Sequence, residues 1–383
     1  STGKDSLTKL TGILMTTKPI TLPIEYWDSG DTRTICPEDE NGRTIEVKYF
    51  SNIQFTGLSK HYPQPLLYSY ASGKMILPTI EMFMSLGRGT VYEDDMTYPR
   101  DLPVFERICD VPVFYFVFNM ANYYHFIYDT LPYLYSYFNE KKIHPELKLL
   151  VSPAEGKDDL YPFVWECLEL LGITRKDVIF LNQNVLYKTV LVGSSLTHNR
   201  LSNTPPHKGV FEVINRMKGD YKGPEKIYVS RRSWLHNNTD NIGTNMTEAR
   251  RCVNEDEVAE LFESYGFEEV FCENMTMEEK IGMFNSAKYV AGPIGGGMVN
   301  TIFSPPETQV LSINSPTFFD INTRFEYSMS HTNLNHFDDT EFAGDVKEWV
   351  ENDNALSISG GLNSPWKVDL NKLSNLVGSW MTF

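Results

Sequence analysis

Hydrophobic and polar positions divide the chain into two stretches of different grain. Residues 1–100 alternate irregularly and lean towards strand, with turn punctuation at Asp28-Ser29-Gly30-Asp31 and Glu40-Asn41-Gly42. From about residue 110 the pattern becomes one of alternating strands and helices. The apolar run 111–118 predicts a buried strand, and 121–139 a helix crowded with aromatic side chains and kinked or broken near Pro132. Strands are expected at 147–152, 178–181 and 186–193, helices at 160–172 and 209–218, and a linker from Gly219 to Pro224.

The second half is clearer. A short strand at 227–230 precedes a helix that starts at Asn254, with Glu257 three residues on as in a capping box. Val258, Leu261, Phe262 and Tyr265 then recur at i, i+3, i+4, i+7, and Gly266 stops the helix. A strand at 267–272 comes next. Thr276 with Glu279 repeats the box, and Met277, Ile281 and Phe284 form the next buried stripe. Strands at 289–292 and 309–313 flank a short helix at 295–300. Strands alternating with helices imply right-handed βαβ units on a parallel sheet. The reading is therefore α/β in three parts: an N-terminal region 1–219, a Rossmann-like domain 225–355, and a tail 356–383. The tail has a weak helical pattern at 368–380 and is expected to pack back on the first region.

Composition narrows the class without naming it. With 41% hydrophobic and 22% charged residues among 383, the chain is neither disordered, collagen-like nor a coiled coil. Its longest apolar run, 111–118, falls far short of the roughly 20 residues of a membrane helix. Nothing at the N-terminus reads as a signal peptide, and an anchor removed ahead of Ser1 stays open. The balance of 34 basic against 50 acidic residues, net −16, argues against a duplex nucleic-acid partner. The window 208–232 reverses that sign, with Lys208, Arg216, Lys218, Lys222, Lys226, Arg231 and Arg232 against Glu212, Asp220 and Glu225. It could serve a small anionic ligand or be a solvated face. Five cysteines without a CxxC pair suggest a reducing, cytoplasmic setting, and the eight histidines form no zinc pattern.

Three segments carry candidate chemistry. Gly292-Pro293-Ile294-Gly295-Gly296-Gly297-Met298-Val299-Asn300 lies after a strand and opens a helix, where glycines let backbone approach a ligand. It is neither GxGxxG nor GxxxxGK[ST], and it could equally be a tight structural turn. Ser230-Arg231-Arg232 ends the first strand of the second domain, at the edge where open α/β sheets bind ligands. Forked guanidinium donors suit a diphosphate, though arginines pairing with an acidic protein are the plainer reading. Arg250-Arg251 is a second basic pair. In Asn122-Tyr123-Tyr124-His125-Phe126-Ile127-Tyr128-Asp129, His125 and Asp129 stand at i, i+4 amid residues that should be core. Polar groups there must be satisfied or functional.

Together these segments resemble glycosyltransferase family 61, which includes plant xylan xylosyl- and arabinosyltransferases and animal protein N-acetylglucosaminyltransferases. The resemblance covers roughly 110–345, through NYYHFIYDTLPYLYSY (122–137), IYVSRR (227–232), RRCVNEDEV (250–258) and the stretch 267–313. It implies a GT-B-like fold of two Rossmann-like domains facing a cleft, with a strand-rich N-terminal segment. It also implies metal-independent, inverting transfer from a nucleotide-sugar, usually UDP-linked and by family UDP-xylose, to a glycan hydroxyl, with no cofactor. By position, Arg231 and Arg232 would hold the donor phosphates. Gly295, Gly296, Gly297, Asn300 and Thr301 would lie against the nucleotide-sugar, with Arg251 and Glu273 as further donor-side candidates. Family members usually carry His where this chain has Ile294, so donor choice is expected to differ.

The residues agree on metal, since the chain has no Asp-x-Asp tripeptide of the kind metal-dependent transferases use. Arginines and helix-start N–H groups would stabilise the leaving group instead. Inversion needs a general base for the acceptor hydroxyl, and Asp129 and His125 are both candidates. Asp129→Asn is expected to spare the fold while abolishing most transfer. A non-catalytic nucleotide-sugar or glycan-binding protein is the alternative. A nicotinamide-dependent oxidoreductase is disfavoured by the missing GxGxxG.

Overall fold

β-branched and aromatic runs of the first half pair into one eleven-stranded mixed sheet. A computed structural model describes residues 21–57, 65–78, 97–99, 104–198, 203–232, 250–343 and 364–382. Along the sheet the strands run Val178–Phe180, Lys148–Val151, Val113–Tyr115, Val185–Gly193, Ile45–Phe55, Leu67–Ser69, Lys74–Leu77, Thr21–Tyr26 and Thr97–Pro99. Asp31–Cys36 pairs with Ile45–Phe55, and Arg107–Cys109 with Val185–Gly193. The first four of the path are mutually parallel, as alternating strands and helices require. Antiparallel pairing of Ile45–Phe55 with Val185–Gly193 then welds the N-terminal strands to this α/β unit. Sequence alone left residues 1–100 as an unassigned strand-rich segment. Pairing between strands far apart in the chain, such as Ile53 with Tyr187, makes part of that segment one sheet with the α/β unit.

The second sheet has five strands, in the order Glu268–Val270, Lys226–Val229, Tyr289–Pro293, Gln309–Ile313, Asn333–Phe337, every neighbour parallel. Its helices Glu255–Ser264 and Met277–Ser286 turn the expected stripes inward, with Leu261 and Tyr265 half-buried. Val258, Phe262, Met277, Ile281 and Phe284 are all buried. Thr276 caps its helix by accepting from the Glu279 N–H at 3.2 Å. The Asn254 box does not form. Its side chain turns instead to the backbone of Val368, accepting from the N–H and donating to the carbonyl at 2.9 Å each. A strand that arrives more than a hundred residues later offers two hydrogen bonds where the cap offered one.

That same strand, Trp366–Val368, pairs with Thr340–Phe342 and leads into the helix Leu370–Trp380. The helix does not return to the first sheet as expected. Leu373, Val377 and Trp380 are buried against Phe262 and Phe267 of the second, with Trp380 stacked 6.0 Å from Phe267 and edge-on to Tyr289 at 5.4 Å. Each large apolar side chain so buried stabilises by about 1.5–3 kcal/mol. Among the described residues no helix is long and apolar enough to cross a membrane.

Candidate active site

The aromatic helix is where local sequence bends the backbone towards chemistry. Asn119 Oδ1 accepts from the N–H groups of Ala121 and Asn122, and Asn122 caps the first turn by accepting from the His125 N–H at 3.1 Å. Tyr123–His125 is α-helical, Phe126–Thr130 widens into a π turn, Leu131–Tyr133 tightens to 3₁₀, and Leu134–Lys141 resumes as α-helix. Pro132 lacks an N–H, so the ladder must be rearranged around it, and a π turn is a common outcome at working positions.

The π turn carries Asp129, which is fully buried. Oδ2 meets His125 Nδ1 at 2.8 Å, and Oδ1 accepts from Thr197 Oγ1 at 2.5 Å and from Arg324 Nη2. Burial by itself would raise the proton affinity of this carboxyl. Arg324, His125 and Thr197 outweigh it and hold Asp129 well below the usual carboxylate range. An ionised Asp129 accepts the hydrogen bond donated by His125 Nδ1–H, which leaves Nε2 with the lone pair. The His125 side chain is 33% exposed, whereas that of Asp129 is 0% exposed. Of the two base candidates, only the imidazole reaches solvent; Asp129 is sealed beneath it with both oxygens engaged.

A second cluster lies past the strand Lys226–Val229. Glu255 Oε1 accepts from the Arg231 N–H at 2.8 Å and from Tyr228 Oη at 3.1 Å. The buried Arg231 side chain donates from Nη1 to the Arg250 carbonyl at 2.8 Å. Arg250 lies over the Phe318 ring at 5.1 Å, its Nε enclosed without a hydrogen-bond partner. Burial, reinforced by Arg231, pulls the Arg250 guanidinium down to about 9. Glu255 is pushed up to about 7, chiefly by burial, and its Oε2 has no partner.

Arg232 lies outside this cluster. Its guanidinium forks onto Glu269 at 2.5–3.2 Å and reaches Asp256 at 2.8 Å, so its donors are spent on the protein. Arg251 is exposed, and Glu273 is half-buried close enough to Arg231 to act on its charge.

The glycine turn leads into a 3₁₀ helix, Gly296–Phe303. A Cβ on Gly295 would lie 2.7 Å from Arg231 Nε, so the bare backbone is what lets the guanidinium lie there. A Cβ on Gly297 would press on Val229 Cγ1 at 2.9 Å, whereas one on Gly296 would meet nothing within 4 Å. Asn300 faces inward. It accepts from Tyr123 Oη at 2.5 Å and donates to the Gly297 carbonyl at 3.0 Å, tying the turn to the aromatic helix. Thr301 is likewise fully buried, with Oγ1 unpartnered. Ile294 is buried core, its N–H on the Ile313 carbonyl at 2.8 Å, so no ring nitrogen stands there.

One aromatic wall joins the clusters. The His125 ring lies 4.9 Å from Tyr124, Tyr124 stacks on Phe325 at 4.5 Å, Phe325 meets Phe318 edge-on at 5.2 Å, and Phe318 carries Arg250. Arg324 and Thr197 escaped the sequence reading because no local pattern marks them. Arg250 carried only the weak signal of an RR pair, from which the neighbouring Arg251 was chosen. Among the described residues, no group of three or more His, Cys, Asp or Glu side chains is gathered as a metal site.

On this mixed α/β fold, the family match makes the enzyme a glycosyltransferase. Residues 123–311 match the model of the family Glycosyltransferase 61, so the chain carries a glycosyltransferase 61 domain. No curated protein matches it. The bacterial iron-containing dodecameric glycosyltransferase TibC from enterotoxigenic E. coli H10407 aligns over 83% of this chain and 96% of its own, at 8% identity and a TM-score of 0.27. That likeness is too distant to inform the site.

Proposed function

We propose that the protein transfers a sugar, with inversion and without a metal, from a nucleotide-sugar, most simply a UDP-sugar such as UDP-xylose, to a glycan hydroxyl across a GT-B-type cleft. In this reading His125 Nε2 takes the proton of the acceptor hydroxyl as its oxygen bonds to the anomeric carbon from the face opposite the leaving group. The bond from that carbon to the diphosphate breaks, and its electron pair leaves with the nucleotide. Arg231 and Arg250 meet the resulting charge, with Gly295 giving the room. Asp129 is a positioning residue that holds the imidazole with Nε2 outward.

The observation that supports the reading is the run of ring contacts from His125 to Arg250, whose carbonyl accepts from Arg231. Thermal-shift and transfer assays with UDP-, GDP- and CMP-sugars test it. A donor at 100 times its dissociation constant should stabilise the fold by about 2.7 kcal/mol. Stabilisation by none of them, with no transfer to any sugar hydroxyl, sinks the nucleotide-sugar assignment.

A further inference from the structure

The 3₁₀ segment Thr323–Ser328 is part of the crossover between two strands of the second sheet, Gln309–Ile313 and Asn333–Phe337, yet its partners are in the first half of the chain. Thr323 Oγ1 donates to Asn203 Oδ1 at 3.0 Å, Tyr327 Oη donates to the Asn203 carbonyl at 2.7 Å, and Phe325 stacks on Tyr124. Between them Arg324 donates to Asp129 Oδ1 and to Thr197 Oγ1, the latter at 3.4 Å. The Asp129 carboxylate is thus shared, one oxygen for the imidazole of the first half and one for a guanidinium delivered by the second.

This sharing has an electrostatic consequence for His125. An ionised carboxylate 2.8 Å from an imidazole favours the imidazolium, which cannot accept a proton. A guanidinium on the other carboxylate oxygen opposes that pull and repels an imidazolium directly. The remaining groups around the pair do not replace it. Tyr124 and Tyr128 are buried phenols whose proton affinity is raised, so both are neutral. Tyr327 donates its hydroxyl to the Asn203 carbonyl. Arg43 donates to the carbonyls of Pro205, Thr204 and Thr197 and adds a second positive charge near Tyr128 and Arg324.

We infer that Arg324 is a positioning residue of the transfer reaction: by docking on Asp129 from the second half of the chain, it shares the carboxylate that orients His125 and leaves the imidazole ready to take the acceptor proton. The base is then competent only while Thr323–Ser328 is seated, which couples contact between the halves to catalysis. This rests on His125 being the base.

The test tracks the His125 ring proton resonance with pH, beside the pH profile of kcat/KM, in the full chain. Arg324→Gln should raise the His125 midpoint by about 1 pH unit or more, because the carboxylate is no longer shared. The acidic limb of the profile should move up by the same amount while the alkaline plateau persists. Arg324→Lys should return both towards wild type. The double variant Thr323→Ala/Tyr327→Phe keeps the charge but loosens the segment, and should move midpoint and limb in the same upward direction; it carries the test if Arg324→Gln does not fold. An unmoved midpoint in the folded variants overturns the inference. Full transfer by His125→Ala would instead overturn the assignment of the base, so the two failures are read separately.

Discussion

Asp129 and Arg231 are both buried charges in the same protein, but their surroundings are opposites. The carboxylate has a cation, an imidazole and a hydroxyl on its two oxygens. Arg231 has a backbone carbonyl as its side-chain acceptor, and a second arginine, Arg250, supplies that carbonyl. The nearest carboxylate, Glu255, spends Oε1 on the Arg231 main chain and Tyr228. One cluster closes on itself, which suits a group whose orientation must be preset. The other holds Arg231 by a backbone carbonyl with Glu255 and Glu273 acting on its charge, and in the proposed reading the donor diphosphate joins them.

The largest expected effect breaks the first cluster at its exposed end. His125→Ala should lower turnover by about 10²–10⁴-fold, the usual worth of a positioned base, with the melting temperature nearly unchanged. Steady-state kinetics and a melting curve on one sample check this, and wild-type turnover would remove His125 from the reaction.

Breaking the same cluster at its buried end should show as stability. Asp129→Asn leaves Arg324 buried without its anion and should cost about 3–5 kcal/mol in denaturant unfolding. The sequence-based expectation that this variant would spare the fold gives way to the buried ion pair. A cost below about 1 kcal/mol, the level of an exposed pair, would mean that Asp129 is not the anchor described here.

The second cluster should reveal itself through pH. The carboxyl of Glu255 titrates near 7 in the folded protein, above its ordinary value of 4.5, so the native state binds the extra proton between these values. Its contribution is fully present below about pH 4.5 and is lost as pH rises through 7, on the order of 3 kcal/mol. Glu255→Gln should flatten unfolding free energy over that window. An unaltered slope would show that Glu255 is ionised throughout.

The smallest effects compare neighbouring arginines. Arg250→Met removes an under-satisfied cation, so the melting temperature should hold or rise while affinity for the free nucleoside diphosphate falls by about 1.5–3 kcal/mol. Arg232→Ala, which breaks pairs with Glu269 and Asp256, should change stability by about 1 kcal/mol or less and leave that affinity unaltered. Calorimetry giving the reverse ranking would return the phosphate site to Arg232.

Much of the second half was legible in the sequence because its information is local. Apolar stripes at helical spacing, the Thr276 cap and the strand Gln309–Ile313 all come from contacts within a few turns, and the strand–helix alternation dictates parallel pairing. His125 and Asp129 were legible for the same reason, being one helical turn apart in an apolar run. What lies between distant segments was not. Arg324 meets Asp129 across 195 residues, Asn254 abandons its cap for Val368, and the C-terminal helix chooses the second sheet over the first. Each choice is a competition between partners of similar chemistry, decided by which surface the folded chain leaves uncovered. The residue pattern could nominate Arg231 and Arg232 together. Only the tertiary structure separates them, by pairing the Arg232 guanidinium with Glu269 and laying that of Arg231 against Gly295.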